Sequence, residues 1–183
     1  MRRIISLLTL VTTILMASAG AFAAAEIGQP APALVVPELS GDTFDLTSER
    51  GSVVIINFWA TWCPPCREEM PALDAFYRRY HDKGLVMLGL SADRPHDRSD
   101  VAKAMESFSY PAGMMRDAKT NGFGSPATVP TTLVVDRDGI LRVRMTADED
   151  KVTEDSLAKA VLPWLSPKPA PAGINTPSGS TAP

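Results

Sequence analysis
The residues of this 183-residue chain best able to do chemistry are its two cysteines, three apart in Trp62-Cys63-Pro64-Pro65-Cys66. A Cys-x-x-Cys pair at the junction of a buried strand and a helix reads as a redox dithiol. The reasons are physical. A helix N-terminus presents unsatisfied backbone N–H groups and the positive end of the helix dipole. Both favour thiolate over thiol at Cys63, and the thiolate is the nucleophile. Cys66, one turn further on, can close a disulfide and resolve a mixed intermediate. The prolines adjust this. Pro65, early in the helix, lacks an N–H the helix would not use. Pro64 also lacks one, which removes a donor to Cys63, and no His stands between the cysteines. Fewer thiolate stabilisers imply a less depressed Cys63 pKa, a less stable reduced form and a more reducing couple, unless the prolines also alter the geometry.

Two other uses of the cysteines stay in view. A tetrahedral zinc site needs four ligands, and the remaining candidates, His81 and His96, do not stand at finger spacing. A purely structural disulfide would close a very short loop and add little stability in the loop-entropy model. The two histidines read as surface residues.

The elements that must position the dithiol alternate strand and helix. Val53–Trp59 is a continuous apolar, β-branched run, the pattern of a strand buried on both faces. A helix is predicted from about Pro64 to His81. Leu73, Phe76, Tyr77 and Tyr80 line one face, Pro71 should kink it, and Gly84 ends it. Upstream, Ala33–Leu39 and Thr43–Leu46 flank Ser40-Gly41-Asp42 as a hairpin. Downstream come a strand over Leu85–Ser91, a helix from Asp100 to about Ser109 capped by Ser99 or Asp100, and a strand over Thr131–Asp136. The turn Arg137-Asp138-Gly139 leads into Ile140–Thr146, and Val152–Leu165 forms a last helix. The predicted fold class is α/β: a mixed central sheet with helices on both faces and an N-terminal β-hairpin.

The ends read differently. Arg2 and Arg3, the apolar stretch Ile4–Ala19 and Ala21-Phe22-Ala23 make residues 1–25 a secretory signal, with cleavage expected at Ala23–Ala24. Membrane anchoring would follow only if this segment were retained. Residues 166–183 are rich in Pro, Ser and Ala and are expected to be a disordered tail. Residues 26–165 then form one domain. With 45% hydrophobic and 21% charged residues, the chain can bury a core. Its formal net charge of −3 argues against nucleic-acid binding.

The run Asn57-Phe58-Trp59-Ala60-Thr61-Trp62-Cys63-Pro64-Pro65-Cys66-Arg67-Glu68-Glu69-Met70-Pro71 resembles the TlpA/ResA-like branch of the thioredoxin superfamily. Gly28-Gln29-Pro30-Ala31-Pro32 resembles that branch's opening segment, Val129-Pro130-Thr131-Thr132 its cis-proline loop, and Asp136-Arg137-Asp138-Gly139 its terminal hairpin. The likeness covers roughly residues 27–165. It implies a thioredoxin-like three-layer sandwich and an extracytoplasmic (periplasmic) thiol:disulfide oxidoreductase. Such proteins usually act as reductants, often in cytochrome c maturation or copper-site assembly.

The resemblance also implies roles. Cys63 would be the exposed attacking thiol and Cys66 the buried resolving one. Pro130 would form a cis peptide with Val129, which costs far less before proline than elsewhere. Val129 would offer its backbone to an extended substrate, and Trp62 and Pro64 would border the substrate surface. Glu69, one helical turn after Cys66, would exchange a proton with it if burial raises its pKa. Asn57 departs from the buried Asp of cytoplasmic thioredoxins and cannot titrate, which shifts proton transfer to Glu69 or water. Partners would be protein disulfides and a transmembrane thiol reductase of DsbD or CcdA type, with no metal or organic cofactor required. A disulfide oxidase or isomerase, a thiol peroxidase and a copper-binding module are the alternatives.

Overall fold
Val53–Trp59 forms β3, the centre of the molecule, with all seven residues buried. Its side chains alternate. Val53, Ile55 and Trp59 join one hydrophobic cluster, while Val54, Ile56 and Phe58 join another on the opposite face. Such a strand needs a covering layer on each side. The computed structural model describes residues 25–149 and 151–165. Most of the expected signal segment and the whole expected tail lie outside them.

The remaining elements build outward from β3. The hairpin strands are β1 (Leu34–Pro37) and β2 (Thr43–Asp45), and β3 leads into helix α1 (Pro64–Tyr80). Then follow β4 (Leu85–Ser91), α2 (Arg98–Met105), β5 (Ala112–Met114), β6 (Thr120–Asn121), β7 (Thr131–Val135), β8 (Leu141–Thr146) and α3 (Glu154–Leu165). The central sheet has the order β5-β4-β3-β7-β8. β3, β4 and β5 run parallel, whereas β7 and β8 are antiparallel to their neighbours. Gly84, at φ 90°, takes the left-handed turn between α1 and β4 that a side chain would disfavour. α1 runs through Pro71 as one element.

The mixed α/β fold is as expected, but the layers differ in one respect. Buried residues of all three helices, including Leu73, Val101 and Leu157, belong to a single cluster. The other face is covered by a second sheet, β2-β1-β6, through Leu34, Val36 and Phe44. Helices on both faces were expected. The reason lies in the strand order: β3, β4 and β5 step in one direction, so two right-handed crossovers carry α1 and α2 to the same side.

α2 also starts earlier than its sequence suggests. A 3-10 turn over Pro95–Asp97 precedes it, and its N-cap is Asp97, without a side-chain capping bond. Pro95 opens this turn because its fixed φ suits it and its missing N–H is not needed there.

The two sheets touch where β5 meets the hairpin, through a bridge between Glu38 and Gly113. A Cβ on Gly113 would lie 2.8 Å from the Pro37 carbonyl oxygen and 3.2 Å from Val36 Cγ2. Gly113→Ala is therefore expected to lower stability by about 1–3 kcal/mol. Urea unfolding checks this, and a variant as stable as the wild type would contradict the close packing.

Candidate active site
The first turn of α1 is unusual in its donors. Cys63 is the N-cap residue, with extended backbone (φ −99°, ψ 100°), and Pro64 and Pro65 occupy the first two helical positions. Neither proline has an N–H. The first free N–H is that of Cys66, and it donates to Cys63 Sγ at 3.2 Å. A cysteine sulfur thus takes the place of the usual Ser or Asp oxygen at the cap. Cys63 and Cys66 are joined by a disulfide, with Cα atoms 5.3 Å apart.

Burial modifies the expected picture of an exposed Cys63. In this disulfide state Cys63 is 4% exposed and Cys66 1%. The approach to Cys63 is framed by exposed neighbours, Pro64 and Pro65, and by the Trp62 side chain at 66% exposure. On the other side stands the loop before β7. The Val129–Pro130 peptide is cis, and the Val129 carbonyl oxygen lies 3.6 Å from Cys63 Sγ. Thr131 Oγ1 donates to the Thr128 carbonyl at 2.7 Å and braces this loop. Pro130 is buried and Val129 half-buried. The structure thus brings Trp62, Cys63, Pro64, Cys66, Val129 and Pro130 together at one edge of the sheet.

Glu69 shares α1 with Cys66 and is 3% exposed. Its Oε1 accepts the Val152 N–H at 3.2 Å, and its Oε2 has no partner. Burial pushes its carboxyl above the usual carboxylate range, opposed in part by the Val152 bond and Lys151. Asn57 is buried too. Its Nδ2 donates to Thr132 Oγ1 at 3.0 Å, and its Oδ1 is unpartnered. His81 and His96 lie on the surface, and among the described residues no cluster of three His, Cys, Asp or Glu side chains could hold a metal ion.

Two features escaped the sequence reading. Asp93, just past β4, is 1% exposed and receives hydrogen bonds from Thr61 and Ser91. The available signal was topological: parallel β3 and β4 end at one edge, so residues following each must meet. The second is a cavity of about 460 Å³ bordered by Phe58, Leu133 and the loop Ser125–Thr128. Neither cysteine lines it. The dithiol lies instead just past the end of β3, beside the exposed Trp62, Pro64 and Pro65.

Making and breaking the Cys63–Cys66 bond is the chemistry this edge offers, and the class that results is the thioredoxin-fold thiol–disulfide oxidoreductase. Comparison with known proteins narrows it: the chain belongs to the AhpC/TSA family, whose model matches residues 27–144. It is 30% identical over 138 residues to a thiol-disulfide oxidoreductase ResA of Bacillus cereus, covering 75% of this chain and 80% of that protein. It is 32% identical over 116 residues to the thioredoxin-like protein YneN of Bacillus subtilis, covering 63% and 68%. The fold is shared with a thioredoxin-family thiol:disulfide interchange protein from Chlorobium tepidum TLS (TM-score 0.63, 24% identity, 77% of this chain and 99% of that one). It is shared also with a secreted thiol-disulfide isomerase from Corynebacterium glutamicum (TM-score 0.59, 24% identity, 73% and 84%).

The raised Glu69 pKa has a consequence for stability. Above about pH 4.5, where a free glutamate ionises, the folded protein holds a proton that the unfolded chain has lost. Stability contributed by neutral Glu69 is full below that pH and falls as pH rises through the folded pKa. Glu69→Gln should remove this decline, so the variant gains stability relative to the wild type as pH rises above 4.5. Thermal unfolding of both oxidised proteins across this range checks it. Parallel curves would show that Glu69 does not titrate there.

Proposed function
We propose that this protein is an extracytoplasmic reductant of protein disulfides, cycling between a Cys63/Cys66 dithiol and the disulfide. The observation that carries the reductive direction is the donor set at Cys63. With two prolines leading α1, the Cys66 N–H is the backbone donor left in the first turn for a Cys63 thiolate. A weakly stabilised thiolate makes the reduced form less stable, and electrons then flow outward to substrate.

In the first step the Cys63 thiolate attacks one sulfur of a substrate disulfide. A Cys63–substrate bond forms, and the second substrate sulfur leaves as a thiolate that takes up a proton. Cys66 then loses its proton and attacks Cys63 Sγ. The mixed disulfide breaks, the substrate leaves with two thiols, and the Cys63–Cys66 bond closes. Glu69 is the proposed acceptor of the Cys66 proton, because its burial places its pKa nearer to that of a thiol. Asn57, which cannot titrate, takes no part in that transfer. The Val129 backbone is the proposed docking strip for an extended substrate segment, with Trp62 and Pro64 on the opposite rim.

Substrates of the apocytochrome c or copper-site type fit this reading, since both need cysteines kept reduced in an oxidising compartment. Recharging requires a membrane donor of DsbD or CcdA type. A secretory signal at residues 1–25, with residues 26–165 as the working domain and 166–183 as a tail, supports a periplasmic location. Among the described residues no helix is long and apolar enough to cross a membrane.

Variants test the cycle. Cys63→Ala is expected to abolish disulfide reduction, and Cys66→Ala to accumulate mixed disulfides that non-reducing gels and mass spectrometry identify. A Cys63→Ala protein with wild-type activity would sink the mechanism. Glu69→Gln should slow turnover by about 10²-fold or more, the usual worth of a positioned proton acceptor, and alter the pH profile; an unchanged profile would remove Glu69. Direction is tested in cells by acid quench and thiol alkylation. A pair that is mostly reduced, and becomes oxidised when the membrane donor is deleted, is the expected result. A pair that stays oxidised with or without the donor would overturn the reductant reading.

A further inference from the structure
Asp93 is a buried carboxylate that the cycle above does not use. It is 1% exposed, and its neighbour Ser91 is fully buried. Oδ2 accepts the Thr61 backbone N–H at 2.9 Å and the Ser91 hydroxyl at 2.8 Å, and Oδ1 accepts the Thr61 hydroxyl at 2.7 Å. The Ser91 oxygen accepts the Asp93 N–H at 3.0 Å. No ion pair to Asp93 exists among the described residues. A buried carboxyl group is costly unless donors surround it, and here three do.

Two of those three donors belong to Thr61. It lies in the short segment between β3 and α1, two residues before Cys63. Ala60 anchors the start of that segment in the helix-side cluster, and two backbone bonds also hold it. Ala92 N–H donates to the Trp59 carbonyl at 2.8 Å, and Cys63 N–H to the Ala60 carbonyl at 3.2 Å. The Trp62 side chain is largely exposed. While the Cys63–Cys66 bond is intact, a covalent tie keeps Cys63 at the head of α1. Once the bond is reduced the tie is gone.

We propose that Asp93 is a positioning residue for Cys63: by clamping Thr61 it keeps the attacking sulfur at the α1 N-terminus in the reduced protein. The inference rests on the dithiol reading of the site. It assigns Asp93 a role in geometry, not in bond making. Its effect should therefore be larger in the reduced state, where Cys63 must hold the Cys66 N–H at its sulfur and face Val129 without a covalent constraint.

The test uses the full chain. Asp93→Ala is expected to lower kcat/KM for reduction of a protein disulfide and of a small aromatic disulfide about tenfold to a hundredfold, the loss falling mainly on kcat. The Cys63 pKa, followed by thiolate absorbance in the reduced protein, should rise. Asp93→Asn keeps the shape, can accept the Thr61 N–H and can donate to the Thr61 hydroxyl. It should retain turnover within about threefold. Thr61→Val removes one of the three bonds and should show an intermediate loss, which keeps the test alive if Asp93→Ala does not fold. Folded Asp93→Ala or Thr61→Val protein with wild-type turnover and Cys63 pKa would overturn the proposal. So would Asp93→Asn as impaired as Asp93→Ala, since the loss would then follow charge and not position. If the wild type fails to reduce either disulfide, the functional reading falls, and the Cys63 pKa series still decides the clamp.

Discussion
One hydrogen bond, from the Cys66 N–H to Cys63 Sγ, is the constraint on which the site depends. Helix N-termini ordinarily offer several unsatisfied N–H groups to an anion. This one begins Pro-Pro, so its first two positions offer none. The dipole of α1 still points at Cys63, but the directional share of the stabilisation falls on a single donor. On the reading proposed above, such a site stabilises its thiolate little and favours release of electrons. The same two prolines preset the helical backbone, so the turn that limits the thiolate also starts the helix.

Around that bond the protein treats two buried carboxylates in opposite ways. Asp93 has both oxygens engaged and ties the dithiol loop to the end of β4. Glu69 has one bond and one empty oxygen, and burial raises its pKa. The first arrangement suits a fixed support and the second a group that takes and gives a proton. The first depends on β3, which carries Trp59 into register with Ser91, and the second on α1 and the Val152 N–H that precedes α3. The helix-covered face of the sheet holds the cysteines.

Much of this was legible in the sequence because the signals were long or covalent. Val53–Trp59 and Leu85–Ser91 are mostly apolar stretches of seven residues, and both strands have those bounds. The hairpin over β1 and β2, the helix from Pro64 and the Asp-Gly turn also stand where their residues place them. What was missed is short or non-local. β5 and β6 have three and two residues, too few to show any period, and exist because neighbours offer them partners. The one-sided placement of the helices follows from strand order, which no local pattern encodes. No local pattern marks Asp93, and only the parallel pairing of β3 and β4 sets it against Thr61. The burial of Cys63 likewise comes from packing against the Val129 loop, more than sixty residues away.

The reduction potential of the Cys63–Cys66 couple, measured by equilibrium titration against glutathione or a dithiol buffer, decides whether this dithiol gives electrons or takes them. A single weak cap on the thiolate predicts a reducing couple, near the roughly −270 mV of thioredoxin. A value near the roughly −120 mV of a strong oxidant such as DsbA would show that the reduced form is stabilised after all, and would contradict the reductant assignment.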